Sequence, residues 1–268
     1  MKIRSSARHK ILKTIAFRIL ETGELADQLK DSKQKNGGTL HRFRVGLRRI
    51  QACTRILKRI DKSIPLDATS ALLRRLLQAT NRTRDEEVLP SVFSLKHQTS
   101  EQKTWVKKRD VLRKKLEASL PAVLQKLMPD NFSNLNQSSI LAPFSELDHK
   151  AFQKRSATLI QKERNKLKKM ACKLKKHKKD APYLHQFRIR AKKFRYVLET
   201  LHPLLRKPER EIQHLLEKSQ NAFGKIHDLE YAGRAFRNRP DFRKAFESEH
   251  RQLMKKAMKE GDRLEKYL

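Results

Sequence analysis

An all-α fold of antiparallel helices, gathered into two four-helix halves of one domain, is the architecture this sequence predicts, and three observations predict it. Only seven glycines and nine prolines occur in 268 residues, and the abundant charged residues are mostly good helix formers. No sustained alternation of polar and apolar residues marks a strand. The third observation is an internal repeat, developed below.

Taken in order, turn-forming stretches cut the chain into eight helical segments. The first runs to residue 30. Its opening "MKIRSSARHKILKTIAFRIL" has the look of a leader, but Lys13 and Arg18 interrupt the apolar run and no small-residue cleavage site follows, so it reads as mature protein. "DSKQKNGGT" (31–39) separates it from a helix over 40–60, and "DKSIPLD" (61–67) from a third over 68–88. "LPSVFSLKHQTS" (89–100) and "MPDNFSNLNQSS" (128–139) bound the fourth, 101–127. Beyond that middle break lie 140–176, 183–204, 211–236 and 242–268, divided by "HKKDAP" (177–182), "LRKPER" (205–210) and "RNRPD" (237–241). Segments this long suit bundles better than a solenoid of short repeats. The middle break sets four against four, with halves of about 1–132 and 140–268 in a single domain.

Lys and Arg number 64 against 29 Asp and Glu, a formal charge of +35. A surface so basic repels itself until an anion binds, which points to a polyanionic partner. Nucleic acid, an anionic membrane surface and polyphosphate all satisfy that term, because it reads phosphates and not their attachment. No run of eighteen apolar residues exists to span a membrane. Cys53 and Cys172 are too few for a disulfide framework and lack C-x-x-C spacing, which favours a reducing cytosol.

The repeat carries the functional reading. Against "HRFRVGLRRIQ" at 41 the chain sets "HQFRIRAKKFR" at 185, pairing His41 with His185, Phe43 with Phe187, Arg44 with Arg188, Arg48 and Arg49 with Lys192 and Lys193, and Ile50 with Phe194. At nearly the same offset "NRTRDEE" at 81 matches "GKIHDLE" at 224, placing Arg84 against His227 and Asp85 against Asp228. On a helix, Phe43, Gly46, Ile50, Cys53 and Leu57 share one face and His41, Arg44, Arg48, Gln51 and Arg55 another. In the second copy Phe187, Phe194, Val197, Leu198 and Leu201 face inward, and His185, Arg188, Lys192 and Arg195 form the basic stripe.

A face built only for solubility mixes signs, since Glu four residues from Lys or Arg supports a helix. No acid occurs between 40 and 60 or between 182 and 198. Cations so stacked repel by a few tenths of a kcal/mol per pair, and an anionic ligand reverses that cost. Arg offers phosphate a planar, bidentate donor, Lys a point charge and His a titratable one. The histidines can equally pack at a helix start, behind Leu40 and Leu184. Asp85 and Asp228 are read as orienting residues and not as catalysts, since neither has a second carboxylate with which to share a proton or metal. From 149 to 195 eighteen Lys or Arg face two acids, Glu163 and Asp180, in a stretch that is either a solvated helix end or a further arm of the anion-binding surface.

The segments "LHRFRVGLRRIQ" and "LHQFRIRAKKFRYVLE", with the downstream "RD" and "HD" echoes, resemble the CHAD family, the conserved histidine α-helical domain. The resemblance covers essentially the whole chain. It implies two four-helix bundles related by pseudo-twofold symmetry, with a basic groove or pore that binds inorganic polyphosphate, in a family associated with polyphosphate granules. Carried onto this sequence, the binding residues are His41, Arg44, Arg48, Arg49 and Arg55 in the first half, and His185, Arg188, Lys192, Lys193, Arg195 and Tyr196 in the second. Two departures stand out. Glu199 occupies the place of Arg55, shortening the second stripe, and the first half lacks the glycine that the second keeps at Gly224.

Some members of that family carry a triphosphate-tunnel enzyme domain, but the nearest signature here, "ESEHR" at 247–251, lies in a helical, Lys-rich tail. No Gly-rich phosphate loop, H-E-x-x-H or paired carboxylates occur. The reading is a stand-alone, non-catalytic cytoplasmic binding module without cofactor or metal. Its competitor is a sequence-nonspecific nucleic-acid binder, disfavoured because aromatics are only 6% and do not interleave with the stripe.

Overall fold

The structure, a computed structural model, describes residues 6–31, 38–92, 100–128, 132, 148–235 and 240–268. Among the described residues regular structure is helical throughout: α1 (Ala7–Lys30), α2 (Thr39–Ile60), α3 (Asp67–Ala79), α4 (Asn81–Val92), α5 (Ser100–Leu127), α6 (His149–Ala171), α7 (Ala181–Thr200), α8 (Lys207–Ala235) and α9 (Pro240–Tyr267). The chain divides into two compact units, residues 1–152 and 153–268. No described helix is long and apolar enough to cross a membrane.

In the first unit α1 lies on α2 and α5, α3 bridges α2, α4 and α5, and α4 packs on α5. Ile11, Ile15 and Ile19 of α1 bury at helical spacing against a core that includes Phe43, Leu47, Ile50, Cys53 and Leu57 of α2. Gly46 lets α1 come close. A Cβ built there would lie 2.3 Å from Thr22 Oγ1, so α2 has no side chain where α1 passes. Glu86 of α4 is buried and paired with Arg109 of α5 at 2.8 Å.

In the second unit α8 packs on both α7 and α9. Phe187, Phe194, Val197, Leu198 and Leu201 are all buried, and Phe187 meets Phe223 of α8 edge to face at 5.2 Å. Arg164 of α6 donates to the last carbonyls of the chain, Tyr267 O at 2.9 Å and Leu268 O at 3.1 Å, and so caps the C-terminal end of α9 with a cation. Buried Glu163 is held by Arg190 at 3.5 Å and Lys166 at 3.6 Å.

The packing faces lie as the periodicity predicts; four boundaries do not. The predicted helix over 68–88 is two helices, because the chain breaks at Thr80, whose hydroxyl bonds back to Leu76 O at 2.9 Å. Helix α4 continues through Pro90 to Val92, since a proline near a helix end removes only one backbone bond. The break assigned to 205–210 begins at Leu201 and includes a short 3₁₀ turn, His202–Leu204, before α8 starts at Lys207. The break assigned to 177–182 begins at Cys172, within the densest run of lysines. There Leu174 is buried and its Cδ2 lies 2.4 Å from where a Cβ on Gly261 would stand, so α9 seats the connector. Most of the predicted breaks 31–39, 128–139 and 237–241 fall outside the described residues.

Candidate anion-binding site

Each basic stripe begins at a defined helix start. Helix α2 starts after Gly38, whose φ of 87° places it in the left-handed region that favours glycine. Helix α7 starts after Asp180, whose side chain accepts from the Tyr183 backbone N–H at 3.0 Å, with Pro182 in the first turn. Asp180 also holds His177 at 3.1 Å, and His177 stacks on Tyr183 with ring centroids 4.1 Å apart. The Tyr183 hydroxyl in turn donates to Met170 O at 2.7 Å. The lysine-rich connector is therefore an ordered, capped turn and not a frayed helix end. Leu40 and Leu184 are buried while His41 and His185 are exposed, so neither histidine packs in a core.

On α2, Arg48 is half-buried and Arg55 exposed on the same side as His41. Arg49, half-buried, stands about 100° round the helix from Arg48 and belongs to the opposite flank. Arg44 is only 3% exposed. Its Nη1 donates to Leu77 O at 2.8 Å and to Thr80 Oγ1, and its Nη2 to Asn81 Oδ1 at 2.7 Å. The guanidinium thus occupies the break between α3 and α4 and takes a carbonyl that an unbroken helix would bond internally. Sequence spacing puts Arg44 on the stripe; the fold gives it acceptors within the unit.

On α7, His185, Arg188 and Lys192 recur at spacings of three and four. Lys192 and Arg195 lie over the Tyr196 ring, at 5.8 and 5.4 Å from its centroid. Arg195 is also paired with Glu199 at 3.3 Å, so the departure from the first-half pattern compensates a cation as well as removing one. Lys193 is exposed about 100° from the stripe. Asp228 is half-buried on α8, whereas Asp85 on α4 is exposed.

One residue that sequence reasoning left out of the site enters it. His227 of α8 stands beside His185, ring centroids 5.4 Å apart. Burial first, then the positive charge of Arg188, hold its pKa below the ordinary histidine value; Asp228 opposes them. The signal was present in the "HD" echo, but its first-half counterpart is Arg84, which hid the histidine. Gly224, one turn earlier on α8, brings bare backbone to the same place, with Arg188 Nη2 4.0 Å from where its Cβ would be. The second unit therefore assembles His185, Arg188 and His227 from two helices into a compact cluster of nitrogen donors suited to oxyanions.

These features define a class: an all-helical, strongly basic protein with a repeated His/Arg/Lys device on two helices. The CHAD domain profile matches residues 23–237, and the chain belongs to the CHAD domain family. It is similar in fold to the crystal structure of the CHAD domain from the plant Ricinus communis, with 23% identity, a TM-score of 0.67, and coverage of 97% of this chain and 91% of that one. No curated protein matches the chain.

Proposed function

We propose that this protein is a non-catalytic, sequence-blind binder of linear inorganic polyphosphate, acting in the cytoplasm at polyphosphate granules. The observation that carries the reading is the clustering of His185, Arg188 and His227 from α7 and α8 at the head of an acid-free basic stripe. Family membership supports the choice of ligand, since polyphosphate binding is the property associated with CHAD domains. The stripe of α2, with His41, Arg48 and Arg55, supplies further cations in the first half of a single two-half domain. Asp228 orients the cluster through His227.

A ligand that binds only the folded state raises its melting temperature. Long-chain polyphosphate should therefore stabilise the protein more than single-stranded RNA at equal phosphate and fixed salt. Replacing Arg48, Arg188 and Lys192 by Glu should abolish that difference while helical content survives. Equal stabilisation by RNA and polyphosphate would instead favour a nonspecific nucleic-acid binder that reads charge alone.

A further inference from the structure

The lysines of α6 lie outside the two basic stripes, and the second unit gives three of them a groove. A cavity of about 1020 Å³ lies between α6 and the turn that leads into α8, and its lining belongs to the second unit. The stripe residues His185, Arg188, Lys192 and Arg195 of α7 do not line it. Lys162, Lys166 and Lys169 follow one another at spacings of four and three, which places them on one face of α6. Arg206 adds a fourth cation from the turn. That turn is ordered: Leu204 N–H donates to Leu201 O at 2.8 Å, Leu205 N–H donates to His202 O at 3.0 Å, and Leu205 is buried. Glu209 is the one acid on the lining among the described residues. Its carboxylate accepts the Arg206 backbone N–H at 3.0 Å, which commits it to the start of α8.

The lining is not polar throughout. Ala157 and Ile160 of α6, with Leu204 and Leu205 of the turn, give it an apolar bed that a linear chain of bare phosphates does not use. Beside that bed Gln161 Nε2 donates to Asn165 Oδ1 at 2.9 Å. The bond leaves the Gln161 carbonyl oxygen as an acceptor and the Asn165 amide as a donor, groups that suit the edge of a nucleobase or a sugar hydroxyl. Small-molecule sites combine an apolar surface with a few polar groups that fix orientation, and clustered cations add recognition of phosphate oxygens. We infer that this groove is a second ligand site, for a nucleoside triphosphate, with the cations holding the phosphates and the apolar bed holding the base. Lys166 is shared with buried Glu163 at 3.6 Å, so the exposed Lys162, Lys169 and Arg206 carry most of the phosphate contact. The site is independent of the polyphosphate reading of α7.

Isothermal titration of the full chain with ATP, and separately with inorganic triphosphate, at fixed salt tests the site. Three variants are compared with the wild type, their helical content checked by circular dichroism. Lys162→Glu with Lys169→Glu reverses two phosphate contacts and should weaken ATP binding about tenfold or more. Lys154→Glu with Lys168→Glu makes the same change of charge at exposed positions of α6 outside the groove and should lose little. Ala157→Trp fills the groove without changing charge and should weaken ATP more than triphosphate. Equal loss in the two charge-matched pairs would mean that only net charge is read, and overturns the site. Wild-type affinity for ATP in the folded Ala157→Trp variant overturns it as well, as does a wild type that binds no ATP. Triphosphate bound as tightly as ATP removes the nucleoside from the assignment and the inference with it.

Discussion

His185 of α7 and His227 of α8 stand with their rings 5.4 Å apart and tilted by 40°. Arg188 is close enough to depress the His227 pKa further below the value that burial alone would set, with Asp228 and Glu230 acting the other way. Burial and the Arg188 charge both favour the neutral imidazole at His227.

The pH dependence follows in sign from that depression. A histidine whose folded pKa lies below its unfolded value leaves stability untouched well above about pH 6.5. It subtracts stability as the pH falls through the unfolded pKa, because the unfolded chain then binds more protons than the folded one. Stability of the free protein should therefore decline from pH 7 towards pH 5, and His227→Gln should flatten part of that decline. Bound polyphosphate reverses the local field, favours protonation of His227 and draws in a proton. Affinity should strengthen as the pH falls below about 6.5, and less so in the variant. Paired pH titrations of melting temperature, with and without ligand, measure both arms; identical profiles for variant and wild type would remove His227 from the site.

Removing the Arg44 guanidinium should cost stability. Arg44→Met keeps the bulk but leaves the Leu77 carbonyl, the Thr80 hydroxyl and the Asn81 amide oxygen without their shared donor. A lost buried, charge-assisted network of this size is worth about 2–4 kcal/mol. Urea unfolding should show a lower midpoint at unchanged slope. A change below about 0.5 kcal/mol, the usual range for surface substitutions, would mean that the network is not what fixes the break between α3 and α4.

Close approach of α1 and α2 depends on Gly46. In an open helix Gly→Ala gains about 1 kcal/mol, but here the new Cβ would stand 2.3 Å from Thr22 Oγ1, a hydroxyl that itself donates to Arg18 O at 2.6 Å. Overpacking costs about 1–3 kcal/mol, so Gly46→Ala should be net destabilising. Thr22→Ala in the same chain should recover part of the loss. A double-mutant cycle measures that coupling; additive effects would show that Gly46 serves something other than the α1 contact.

The fold was legible where the signal is local. Apolar spacing on α2 and α7 located the buried residues from Phe43 to Leu57 and from Phe187 to Leu201, because helical periodicity is a property of a dozen consecutive residues. Arg44 shows where such reasoning ends. Its angle round α2 places it beside His41 and Arg48, but its burial depends on α3 and α4, whose side chains lie more than thirty residues on. The break at Thr80 was missed for a related reason, since a threonine that bonds back to its own helix leaves no glycine or proline to read. His227 was masked by the repeat itself, where the aligned residue is Arg84.

Glu199 offers a direct measure of how much the second stripe contributes. It sits where the first half has Arg55, and its carboxylate pairs with Arg195 at 3.3 Å, both side chains largely buried. Glu199→Gln keeps the shape and gives up an i,i+4 ion pair. With both side chains largely buried, its loss should cost more than the roughly 0.3–0.5 kcal/mol of an exposed pair, so the comparison is made on the folded variant, with helical content checked. Arg195 would then be uncompensated beside Lys192 and Tyr196. Polyphosphate affinity should rise several-fold, and the slope of log affinity against log salt should steepen by roughly one phosphate contact. Glu199→Arg, which restores the first-half pattern, should go further in the same direction. Unchanged slopes in both variants would place the ligand on the turns nearer His185 and His227 and end the footprint before Arg195.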